Sequence, residues 1–234
     1  MKLKKLPIGQ SSFENLIRGD MLYVDKTELI FKMITTAQFY FLSRPRRFGK
    51  SLLISTLQEI FKGKKELFKN LWIYNADYNW ESHPVIIIDF NSIDSTTPET
   101  LVLTLTSFLE RTAKDFGLSL ETSNLKSSFE ELVIKLSSST GKQVVLLIDE
   151  YDRPIISHLG KGEEGLRVAE KNRDILKNFY GTIKAASVIE NLRFVLLTGV
   201  SKFSKAGVFS ELNNLLDITM AADYSTLLGI TDEE

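Results

Sequence analysis

The sequence predicts an α/β fold built on a mainly parallel sheet. Apolar runs of strand length alternate with segments of helical periodicity, and the runs carry almost no polar residues. Strands covered by helices on both faces have that composition, whereas half-exposed strands alternate polar and apolar positions. The runs are QFYFLS (38–43), PVIIIDF (84–90), QVVLLID (143–149) and RFVLLTG (193–199), with a weaker fifth, LLDITM, at 215–220.

The helical segments are justified one by one. Residues 51–62 place Leu53, Leu57, Ile60 and Phe61 on one stripe, and residues 99–116 do the same with Leu101, Leu105, Phe108, Leu109 and Phe116. Thr97 and Pro98 open the second: a hydroxyl that can cap, then a ring whose fixed φ suits a first turn. SSFEELVIKLSS (127–138) and EGLRVAEKNRDILKNFYGTIKAAS (164–187) supply two more helices. No repeat, low-complexity segment or linker interrupts residues 1–234, which read as one domain. Thr231 and Glu234 have the spacing of a capping box, which announces a helix. A chain cut before a C-terminal lid or effector region is therefore expected.

Composition narrows the function classes. No apolar run approaches the roughly 18 residues of a membrane span. The basic start MKLKKLPIGQ lacks the apolar core of a secretory signal, so a cytoplasmic protein is expected. There is no cysteine, and His83 and His158 lie far apart without metal-ligand spacing. A formal charge of −1 gives no overall basic field for nucleic acid.

Chemistry concentrates in FYFLSRPRRFGKSLLISTLQEIF (39–61), an apolar strand, a turn ending Gly-Lys-Ser, then an amphipathic helix. A phosphate-binding loop of the G-x-x-x-x-G-K-[ST] type wraps backbone N–H groups around phosphate oxygens at a helix N-terminus. Gly49 permits close approach, Lys50 supplies charge for the β/γ oxygens and Ser51 a hydroxyl for Mg²⁺. Arg44 stands where the pattern has its first glycine, but that position contributes none of these ligands. Pro45 fixes one φ in a loop that must be rigid. Arg46 and Arg47 either reach over the phosphates or decorate a solvated loop. Three arginines in four residues beside an anion site favour the first.

Such a loop needs a carboxylate at the end of another buried strand, and VVLLIDEYD provides it. Asp149 is assigned to the Mg²⁺ shell and Glu150 to orienting or deprotonating a water. Unpaired buried carboxylates are costly, so an acidic pair ending a buried strand is hard to explain by packing alone. FVLLTGVSKFSK leads a third strand into Thr198, where a γ-phosphate sensor would stand, with Ser201 and Lys202 as alternatives. Asp89 and Asn91 end the second strand and read best as turn formers. Arg153 is a candidate contact to a neighbouring subunit or to the expected further domain, and no arginine finger is identifiable.

In this order, YVDKTELI, FLSRPRRFGKSLL, VVLLIDEYDRPI and LLTGVSKFS resemble the bacterial AAA-ATPase-like family, over essentially the whole chain. In that family the loop reads R-P-R-R-F-G-K-S, which Arg44 matches. The resemblance implies a P-loop ATPase core with sheet order 5-1-4-3-2, related to AAA+ and STAND nucleotidases. It implies ATP and Mg²⁺ as cofactors, held by the loop residues Arg46, Arg47, Phe48, Gly49, Lys50, Ser51 and Leu52. It also makes Tyr23, Val24 and Asp25 base-side candidates, although Asp25 to Thr27 also reads simply as a helix start. Longer members carry a segment similar to PD-(D/E)XK nucleases that nothing in this chain matches, so nucleic acid would be reached only through such a segment. The expected function is Mg²⁺-dependent ATP binding with slow hydrolysis, switching an attached effector, with homo-oligomers compatible. The rivals are a non-hydrolysing nucleotide-gated interaction module and a P-loop kinase, against which the Asp149–Glu150 pair argues.

Overall fold

The computed structural model describes residues 4–202 and 214–234. Five parallel strands form one sheet: β1 (Phe39–Ser43), β2 (Val85–Asp89), β3 (Val144–Asp149), β4 (Leu192–Gly199) and β5 (Leu216–Asp217). Their spatial order is β2-β3-β4-β1-β5, the 5-1-4-3-2 order expected, read from the other edge.

Side chains alternate faces along a strand, and both faces here are covered. Val144, Leu146 and Ile148 of β3 and Val195 and Leu197 of β4 join a core under α4 (Pro98–Asp115), α5 (Leu125–Thr140) and α7 (Gly162–Thr182). Val145, Leu147, Phe194 and Leu196 face the opposite core. That second core lies under α1 (Phe13–Arg18), α2 (Thr27–Thr36) and α3 (Lys50–Phe61). This double burial is why the strands read as unbroken apolar runs.

Several element boundaries differ from the sequence reading, each for a local reason. The helix expected over 164–187 ends at Thr182 because Ile183, Lys184 and Ala185 turn back on i−3 carbonyls and Ala185 is extended. A separate short helix, Ala186–Ile189, follows. β5 is two residues rather than six, since the Asp217 carboxylate accepts the Thr219 amide and turns the chain. The capping signal at Thr97 is realised as a reciprocal box with Thr100, and Pro98 occupies the first turn. α1 escaped the sequence reading because its six residues carry too little periodicity, although Ser12 caps it by accepting from the Asn15 amide.

Register brings the strand ends together. Ser43 pairs with Gly199, Leu42 with Thr198, and Asp89 with Asp149, so the polar termini of β1, β4, β3 and β2 share one edge. Ligands of open α/β sheets bind outside the carboxyl ends of the strands.

Away from that edge, Glu131 of α5 pins the 121–122 segment. Its carboxylate pairs with Lys135 and accepts from the amides of Glu121 and Thr122 and the Thr122 hydroxyl. These partners, Lys135 first, hold its pKa down at about 2 against an ordinary 4.5. A depressed folded pKa gives stability that is present above the unfolded value and lost as pH falls through the folded one. The stability gap between the parent and Glu131→Gln is therefore expected to be widest above pH 4.5 and to close towards pH 2, as measured by urea midpoints.

Candidate functional site

The turn after β1 is shaped by two left-handed residues. Gly49 has φ +93°, a region open to glycine, and Arg47 reaches φ +65° against the preference of a side-chain-bearing residue. α3 begins at Lys50, so its free N–H groups and the positive end of its dipole face the cavity beside it. Arg44 is not among the residues of positive φ, so the glycine usual there is not required. Its side chain does other work: the guanidinium donates to the carbonyls of Ser43 and Thr219, and its amide to Gly199 O at 3.1 Å. The loop entry is thereby tied to β4 and to the chain after β5.

Lys50 is 3% exposed, and its ammonium lies 3.1 Å from Arg44 O, 3.2 Å from Pro45 O and 3.3 Å from Glu150 Oε1. A buried cation with one carboxylate at ion-pair distance among the described residues is poised to accept more negative charge. Glu150 itself adopts φ +53°, a conformation that costs a non-glycine residue about 1–3 kcal/mol and persists only where the surroundings impose it.

Asp149 stands behind this pair, 4% exposed and fully partnered. Ser51 Oγ donates to Oδ2 at 2.6 Å, Thr198 Oγ1 to Oδ1 at 2.5 Å, and the Glu150 amide to Oδ1 at 3.1 Å. Ser51 and Asp149 thus bring hard oxygen donors together, the chemistry that suits Mg²⁺. Among the described residues no group of three or more His, Cys, Asp or Glu side chains is placed to hold a metal. The Ser51 hydroxyl and Asp149 carboxylate are a donor set that suits a hard cation bound through few protein oxygens.

A cavity of about 1070 Å³ opens from the loop. Arg47, Phe48, Gly49, Lys50, Ser51, Leu52 and Glu150 are among its lining residues. So are the apolar Leu6, Ile8, Leu22, Val24, Leu227 and Ile230, along with Tyr23, whose hydroxyl burial pushes well above the ordinary tyrosine range. A wall that combines charged groups with apolar side chains suits a ligand with a charged tail and a flat, apolar head.

Three candidates stand elsewhere than the sequence reading put them. Asp25 does not line the cavity: its carboxylate accepts from the Thr27 amide and hydroxyl and from the Trp72 amide, opening α2 and tethering it to the 3₁₀ turn at Trp72–Asn75. The helix-start alternative describes it. Arg46 is exposed and outside the cavity wall, unlike Arg47. Thr198 is fully buried with its hydroxyl given to Asp149, which makes it a support for that carboxylate rather than a group reaching a phosphate.

Of the alternatives to Thr198, Lys202 pairs with Asp217 at 2.5 Å and the Ser201 amide donates to Asp152. Burial pushes the Asp217 pKa up, but bonds from Lys202 and Thr219 outweigh it and leave the net shift downward. Residues 203 and 204, which end the LLTGVSKFS motif, lie outside the described residues. Asp89 accepts from the Asn91 amide and side chain, the turn expected of it.

Two features went unread in the sequence. Residues 227–230 line the cavity and lie over the loop: a Cβ added at Gly229 would be 3.4 Å from the Phe48 ring, and one at Gly49 3.9 Å from the Leu228 side chain. Lys26, also on the cavity wall, pairs with Glu234 at 2.5 Å and holds this segment down. The other is Asp152, whose only signal in the sequence was a third acidic residue in DEYD.

The family model described as Predicted AAA-ATPase matches residues 7–209. A curated relative from Azotobacter chroococcum mcd 1, "Uncharacterized protein in vnfD 5'region", is 39% identical over 236 residues, covering 100% of this chain and 44% of the relative. The chain therefore spans less than half the length of that relative. No helix among the described residues is long and apolar enough to cross a membrane. With the family match over most of its length and the parallel sheet it implies, the chain belongs to the predicted AAA-ATPase family.

Proposed function

We propose that this chain binds ATP with Mg²⁺ and hydrolyses it slowly, as a nucleotide switch for an attached effector. The observation that carries the reading is Lys50, buried between two loop carbonyls and Glu150, with the Ser51–Asp149 pair directly behind. Lys50 and the amides at the start of α3 hold the β/γ-phosphates, while the apolar side chains of the cavity wall, Val24 and Leu227 among them, take the base. Ser51 and Asp149 hold Mg²⁺, which when bound offsets phosphate charge. Thr198 keeps Asp149 turned towards Ser51. Glu150 orients a water and takes its proton as the new O–P bond forms and the bond between the γ-phosphorus and the β–γ bridging oxygen breaks, ADP leaving with that oxygen.

The effector belongs to the part of longer relatives outside the matched region, where contacts with nucleic acid or further copies of the chain would also be made. One observation favours the non-hydrolysing alternative: the Glu150 carboxylate, although on the cavity wall, is engaged by Lys50. Calorimetric titration with ATP, with and without Mg²⁺, and phosphate release followed over hours test both. Tight Mg²⁺-dependent binding with slow release supports the switch, binding without release supports the alternative, and no binding removes both.

A further inference from the structure

Asp152 stands at the N-terminal cap position of the short helix α6 (Arg153–Ile156), where an aspartate ordinarily accepts from the first helical amides. It makes no such bond. Its carboxylate, fully buried, turns instead to the chain leaving β4, accepting the Val200 amide at 3.1 Å and the Ser201 amide at 2.6 Å. Burying a carboxylate on amides is a poor route to stability, since desolvation of the charge opposes the gain. The arrangement buys position instead.

What it positions is visible in the backbone around it. Thr198 O accepts from the Tyr151 amide at 3.0 Å, and Ser201 O accepts from the Tyr151 hydroxyl at 2.8 Å. On the other side Gly199 O accepts from the Arg44 amide, and Val200 O from the Ser43 hydroxyl at 2.8 Å. Gly199 permits this: a Cβ there would sit 2.5 Å from the Tyr151 ring and 2.8 Å from Asp152 Oδ1. The 198–201 segment is thus clasped between the entry of the phosphate loop and the turn that carries Glu150 in its left-handed conformation.

We infer that Asp152 is a positioning residue for hydrolysis: it locks the Glu150 turn to the end of β4 and so fixes Glu150 and the Thr198–Asp149 pair against Lys50 and Ser51. The inference rests on the ATPase reading above. It does not touch nucleotide, so its loss is expected in turnover and not in binding.

The test is Asp152→Asn in the 234-residue chain, followed by steady-state phosphate release and by calorimetric ATP binding. Oδ2 accepts both close amide bonds, so the asparagine oxygen in its place is a weaker, neutral acceptor for the same two N–H groups, while its NH₂ replaces Oδ1 against the Val200 N–H at 3.4 Å. A displacement of about 1 Å at a reacting group costs up to about 100-fold, so kcat is expected to fall about 10- to 100-fold while KM and the ATP Kd stay within about threefold. A folded variant with unchanged kcat, or one losing kcat and affinity equally, overturns the inference and leaves the ATPase reading standing. A parent chain that binds ATP without releasing phosphate overturns both. If circular dichroism shows that Asp152→Asn does not fold, Tyr151→Phe removes the Ser201 clasp from the same turn. It is expected to lower kcat about 3- to 10-fold with KM unchanged, the equivalent of one neutral hydrogen bond. Unchanged kcat in that variant likewise overturns the inference.

Discussion

Replacing Lys50 with alanine is expected to abolish measurable ATP binding. The ammonium is buried, its described partners are two loop carbonyls and Glu150, and the other lysine described on the cavity wall, Lys26, is paired with Glu234. Hydrogen bonds to charged groups are worth about 1.5–3 kcal/mol each. Losing two to a polyphosphate weakens binding by about 100- to 10,000-fold, since each 1.4 kcal/mol is tenfold. The substitution also leaves Glu150 without its cation, adding an uncompensated negative charge beside the phosphate position. Isothermal calorimetry against ATP and Mg²⁺ measures this directly. If Lys50→Ala binds as tightly as the parent, the loop does not grip the triphosphate and the proposed function fails.

Glu150→Gln is expected to separate binding from turnover. The amide is nearly isosteric but cannot accept a proton from water, and loss of a general base typically costs about 100- to 10,000-fold in rate. Affinity should move the other way or stay level. In the parent, Lys50 divides its charge between Glu150 at 3.3 Å and any incoming phosphate, and Glu150 repels that phosphate. Removing the carboxylate relieves both. Single-turnover phosphate release alongside calorimetry reads the two quantities. A variant that turns over at the parent rate would move the base elsewhere, and one that lost ATP would make Glu150 a binding group.

The four long strands were legible because both faces are buried, leaving apolar runs that end within a residue or two of the observed bounds. The loop and acidic pair were legible because each is a local pattern: Gly49 to Ser51 at a helix start, Asp149 and Glu150 at a strand end. Asp25 was misplaced because two chemistries share one spelling. An Asp two residues before a Thr suits a ligand wall, yet the same carboxylate satisfies helix amides, and here it does. The wall contributed by residues 227–230 was invisible for a different reason. Leu227 and Ile230 meet Leu6 and Val24 only through the fold, and no spacing in the sequence encodes that meeting.

That wall has a consequence for the life of the protein. Residues near 6 and near 230 both line the cavity, so its wall is complete only once segments far apart along the chain have met. Contacts so distant along the chain are slow to form. A ligand held in that cavity would bind only the folded molecule and so stabilise it, tying these two segments together against local opening.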